Sequence, residues 1–124
     1  MGLKESLKDS IEGTGEVTEA LMSTAAGVVK EGTHDITDIF KAVIDLGKEG
    51  AVDVAVGVKS VFIGAVNALK ESGKTTEEAV GVVTVKAEEV IGKVTEGGEH
   101  AVGGAARKGI EEAKEIIKTP FKKD

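Results

Sequence analysis

The stretch GAVDVAVGVKSVFIGAVNAL, Gly50 to Leu69, decides the reading of the chain. Gly50, Gly57 and Gly64 recur in it every seven residues, and its charged residues are Asp53 and Lys59. On a helical wheel the three glycines share a side with Val43, Val54, Val61 and Ala68. The opposite side carries Val52, Ala55, Val56, Phe62, Ile63 and Val66. A helix that is apolar all round has to be covered all round. Glycines at a regular interval within the apolar side let a second helix backbone come close. The packing residues expected here are Gly50, Val54, Gly57, Val61, Phe62 and Gly64.

A membrane span needs about 20 apolar residues. The stretch approaches that length, but each buried charge costs about 2.5–3.5 kcal/mol at the bilayer centre. Asp53 and Lys59 project to different sides and pair poorly, so a buried helix of a bundle is the expectation.

Outward from this centre the helical period continues. Toward the N-terminus, Leu3, Leu7, Ile11, Thr14, Thr18, Leu21, Ala25, Val28 and Val29 share one face, with Glu5, Asp9, Glu12, Glu16 and Glu19 opposite. The stripe repeats at eleven residues (Leu3, Thr14, Ala25, Ile36), about 3.67 residues per turn, which keeps it nearly straight. Gly32 offers a stop, and Thr33 or Asp35 an N-cap. Gly73 reads as a C-cap, and Thr75 with Glu78 forms a capping box. Beyond it Val80, Val83, Ala87, Val90, Ile91, Val94, Ala101, Val102, Ala105, Ala113 and Ile116 continue the period, with Gly97-Gly98 and Gly103-Gly104 as weak points.

The pattern predicts an all-α chain with three long glycine-containing amphipathic helices at about 2–31, 35–71 and 76–118. They form a bundle or hairpin in a single domain, 1–124, with the last helix closed by Thr119-Pro120 and a loose basic tail, 119–124. The rival is β structure: AVDVAVGV alternates at 51–58 and GVVTV is β-branched at 81–85. Helical flanks, caps and the lack of an Asn-Gly or Asp-Gly turn weigh against it.

Composition narrows the function. Seventeen glycines against one proline, and three phenylalanines without Trp or Tyr, imply a core of small aliphatic side chains. A net charge of −6 disfavours nucleic acid as a partner. No cysteine is present, so thiol chemistry is excluded. The N-terminus lacks an apolar signal region, which points to a cytoplasmic protein, with peripheral membrane association open.

His34 with Asp38, and Glu96 with His100, are spaced four apart but belong to no larger ligand set, so no metal is expected. The doublets Glu88-Glu89 and Glu111-Glu112 point apart on a helix and read as solvated. No phosphate loop or nucleophile triad is present. No enzyme activity, cofactor or small-molecule substrate is expected.

Gly81, Gly92 and Gly103 recur every eleven residues beside Glu88, Glu96 and Glu99. Glycine on a solvated helix face weakens the helix, so this face is expected to meet another helix or subunit. Together with Gly50, Gly57 and Gly64 these residues suggest a homo-oligomer as the first expectation.

The fragments VVKEGT (28–33), GKEGAV (47–52) and GKVTEGGEHAVGGAA (92–106) resemble the eleven-residue-repeat amphipathic proteins: synucleins, lipid-droplet coat proteins and late-embryogenesis-abundant proteins. The chain departs from synucleins in its acidic balance and in lacking their regular lysine-rich repeat. The resemblance implies binding to a lipid surface or protecting other molecules in stress, and carries over no functional residue; coating a lipid or hydrophobic-granule surface is the alternative to self-association.

Overall fold

The computed structural model describes residues 17–32 and 35–122, with side-chain surroundings for 19–32 and 35–117. Among the described residues the chain is all-helical: α1 Val17–Glu31, α2 Ile36–Lys48, α3 Val54–Glu71, α4 Thr76–Glu96 and α5 His100–Lys122. The bundle is as expected, but it holds five helices where three were predicted. The first predicted helix is seen from Val17 onward, and its part before that lies outside the described residues.

The predicted 35–71 helix divides at residues 49–53, and the predicted 76–118 helix at 97–99. The cause is the same at both breaks. Gly50 and Gly98 have φ of 87° and 90°, a left-handed conformation that side chains resist. After each, the chain closes a Schellman motif. Ala51 N donates to Leu46 O at 3.0 Å, and Glu99 N donates to Val94 O at 3.2 Å. Gly50 is therefore a turn residue and no part of a helical glycine stripe.

Asp53 is likewise no interior helix charge. It is the N-cap of α3, and its Oδ1 accepts from Ala55 N at 2.9 Å. Val52, just before the cap, is buried against the Gly57 turn and staples the entry.

The turn at Gly73 and the Thr75/Glu78 capping box are found as expected, with Thr75 Oγ1 accepting from Glu78 N at 3.1 Å and Glu78 Oε1 from Thr75 N at 3.0 Å. Asp35 caps α2 in the same reciprocal way with Asp38. α5 continues past Pro120 to Lys122, against the expected stop at 118. A proline in a last turn forfeits one hydrogen bond, to the carbonyl of exposed Ile116, which water can satisfy.

α3 is the axis and packs against all four other helices. Val43 and Gly47 of α2 face Gly57 and Val54 of α3, so these two run antiparallel. Met22 of α1 meets Gly64, and Lys30 pairs with Glu71 at 2.6 Å, so α1 runs parallel to α3. α4 and α5 are antiparallel, with Gly103 against Thr95 and Arg107 bonded to Glu88 at 3.0 Å.

The core gathers Leu21, Ala25, Ile39, Phe40, Val43, Leu46, Val58, Val61, Phe62, Val83, Ile91 and Ile110. Phe40 and Phe62 meet edge to face, with centroids 6.5 Å apart. Buried Ser60 is satisfied, its hydroxyl donating to Val56 O at 2.8 Å. No helix among the described residues is long and apolar enough to cross a membrane.

Candidate interaction surfaces

The glycines of the central helix lie where backbones nearly touch. A Cβ added to Gly64 would lie 2.9 Å from Met22 Cα, and closer still to its carbonyl oxygen. One on Gly57 would lie 2.7 Å from Val43 Cγ2. Val61 and Phe62 are fully buried beside them, and Val54 is half-buried against Gly47. The close approach expected of Gly57 and Gly64 is thus met by α1 and α2 of the same chain. Gly103 behaves likewise, tucked against Thr95 across the α4–α5 turn. A Cβ built on exposed Gly50 would meet nothing within 4 Å among the described residues.

The sequence pattern does not single out a further close approach. A Cβ on Gly109 would sit 2.5 Å from Ala55 O and 3.2 Å from Lys59 N. A signal for it exists, since Gly109 stands midway between Ala105 and Ala113 at helical steps of four. Beyond the break at 97–99 the buried face of α5 becomes Gly103, Ala106, Gly109, Ile110, Ala113 and Ile117. Ile116, expected inside, is 45 % exposed. An uninterrupted wheel carries the phase of α4 across a turn, where it no longer holds.

Gly81 and Gly92, like Gly104, lack the close neighbour that Gly57, Gly64 and Gly103 have. Among the described residues nothing lies within 4 Å of a Cβ built on Gly81 or Gly92. They flank Val85, the most exposed large apolar side chain among the described residues, at 59 %. Toward α5, Val80, Gly81, Thr84, Val85, Lys114 and Ile117 line an apolar groove of about 510 Å³. On the other side of the Gly81–Val85 ridge lies a shallow hollow bordered by Lys74, Glu78, Val82 and Lys86. The buried Thr84 hydroxyl has no hydrogen-bond partner among the described residues. Glu77 and Glu78 border this face together with Lys74, Lys86 and Lys114.

Alanine at Gly81 or Gly92 meets nothing among the described residues and should remove the helix penalty of glycine. Each substitution is expected to raise the stability of the monomer by about 0.5–1 kcal/mol. Urea titration in dilute solution measures it, and a loss of stability would show that these positions are covered within the chain.

A second hollow, about 300 Å³, lies between α2 and α4 over Ile44, Val90 and Val94. Its rim alternates Asp38, Lys41, Asp45 and Lys48 with Glu89, Lys93 and Glu99. Lys48 bonds Glu99 at 2.9 Å. That hydrogen bond, with the nearby Glu99 and Asp45 charges, holds the Lys48 ammonium above its ordinary pKa. The pair is therefore intact at neutral pH and loosens when alkali deprotonates Lys48.

His100 is exposed at the start of α5, and His34 lies outside the described residues. No group of three or more His, Cys, Asp or Glu is placed to hold a metal among the described residues. The arrangement defines an all-α bundle built on glycine-mediated helix contacts. No protein-family model, no curated protein and no solved structure matches the chain.

Proposed function

We propose that this is a non-enzymatic helical assembly protein that associates with copies of itself through the outer face of α4. The observation that carries the reading is Val85, exposed at the middle of that face between two glycines with empty space above them. Each of those glycines costs its helix about 1 kcal/mol relative to alanine, with no packing return among the described residues. A neighbouring helix laid on Gly81, Val85 and Gly92 would supply that return. The self-association expected at Gly50, Gly57 and Gly64 moves to this face, because the latter two are occupied within the chain. The lipid-coat alternative loses support by the same geometry, since Leu21, Ala25 and Val28 of its amphipathic stripe are buried inside the bundle.

The test is mass in solution, by light scattering after gel filtration. The natural chain is expected to form oligomers that dissociate at least tenfold more readily when Val85 is replaced by Glu. Two copies that each carry a net charge of −6 repel one another across such an interface. Raising salt from about 0.05 to 0.5 M should therefore strengthen association by screening. Oligomers unchanged by Val85→Glu would overturn the reading.

A further inference from the structure

The groove between α4 and α5 carries two polar groups without a partner among the described residues. The first is the Thr84 hydroxyl. A hydroxyl inside a helix is commonly satisfied on a carbonyl of the preceding turn, as Ser60 is on Val56 O and Thr95 on Gly92 O. The Thr84 Oγ1 is closed off from water and makes no such bond. A buried polar atom left unpaired is costly, and native structures hold few of them. The second is the Lys114 ammonium. The half-buried lysines Lys59 and Lys86 each stand 3.7 Å from a carboxylate, Glu112 and Asp35. Lys114 is half-buried too, and it has no ion pair among the described residues.

The two groups lie close together. Arg107 bonds Glu88, and seven residues on from that pair along each antiparallel helix stand Gly81 and Lys114. Thr84 is one turn from Gly81 on the same wall. The rest of the lining is mainly apolar, with Val80, Val85 and Ile117. Glu77 stands a helical turn beyond Gly81 in the direction away from Thr84. The volume of about 510 Å³ falls within the range of small-molecule sites, about 300–1,000 Å³, which pair an apolar lining with a few placed polar groups.

We propose that this groove binds a free, single-tailed carboxylic acid of medium chain length. Its carboxylate pairs with Lys114, and its alkyl chain covers Val80, Val85 and Ile117. Threonine has two favoured side-chain settings in a helix, and rotation between them carries the Thr84 hydroxyl to the carboxylate, where it donates. The site does not depend on self-association, because Lys114 and Ile117 belong to α5 and stand off the Gly81–Val85–Gly92 ridge.

The experiment is calorimetric titration of the dilute protein with decanoate, kept below micelle formation, with decanol as the uncharged control. One decanoate is expected per chain, with a dissociation constant on the order of 0.1 mM, and decanol binds several-fold more weakly. Lys114→Gln lowers the decanoate affinity several-fold and leaves decanol as it was. Thr84→Val replaces the unpaired hydroxyl by a methyl. It lowers decanoate affinity while raising the urea midpoint of the empty protein, which shows that the fold persists. No decanoate binding up to about 1 mM overturns the proposal. So does equal binding of decanoate and decanol that Lys114→Gln leaves unchanged. Light scattering on the same samples keeps this site apart from the α4 reading, since Lys114→Gln is expected to lose decanoate and keep its oligomer.

Discussion

Replacing Gly64 by leucine is expected to destabilise the protein by about 3 kcal/mol, at the upper end of overpacking effects. The magnitude follows from what a side chain would strike. At Gly57 the nearest atom is a side-chain methyl of Val43 in α2, which can yield without moving main chain. At Gly64 the three nearest atoms are the carbonyl oxygen, Cα and carbonyl carbon of Met22. Backbone inside a helix cannot move alone, so α1 must lift from α3 as a unit. With it would go the burial of Leu21, Ala25 and Val28 against the core. Urea titration measures the loss, and Gly57→Ala should cost less than Gly64→Ala. A loss below about 1 kcal/mol for Gly64→Leu, the scale of ordinary surface changes, would show that the α1–α3 contact is looser than the structure has it.

The helical period and the caps at Asp35 and Thr75 were legible because they rest on local chemistry: side chain to nearby backbone, and one face against another. The breaks at 49–53 and 97–99 were harder, because the sequence alphabet does not distinguish the two uses of glycine. Gly50 and Gly57 are seven residues apart and each is followed by a small apolar residue, Ala51 and Val58. One ends a helix with positive φ, and the other lies inside a helix against a valine. The residue that separates them is Asp53, an N-cap at the head of an apolar run. Read as a charge within a helix, it conceals the turn. The misplaced Ile116 has the same origin, since a missed turn shifts the phase of everything after it. For the interaction surfaces, the wheel finds glycines on an apolar face but cannot say whose backbone approaches them. Periodicity describes one helix, whereas the identity of its neighbour depends on the topology of all five.

Truncating Phe62 to alanine is expected to cost about 3–5 kcal/mol, the span typical of a buried aromatic. Phe62 is fully buried on the helix that touches every other one. Its ring meets the ring of Phe40, and the chain has three phenylalanines and no Trp or Tyr to take up the space. The cost of such a truncation depends on how far the surroundings can collapse into the void. Here they are poorly able to. Gly64 already brings α1 to backbone contact with α3, and Gly109 does the same for α5 through Ala55 O. Helices held apart by main-chain atoms cannot draw closer, so the cavity stays open and its full penalty remains. Leucine at the same position fills part of the volume and should recover more than half of the loss. Equilibrium unfolding in urea measures both variants. Because a domain of this size holds only about 5–15 kcal/mol in total, Phe62→Ala should move the midpoint far more than the alanine changes at Gly81 and Gly92, and in the opposite direction. A loss under about 2 kcal/mol, smaller than truncation of a buried phenylalanine ordinarily costs, would mean that the glycine contacts yield and let the bundle close around the missing ring.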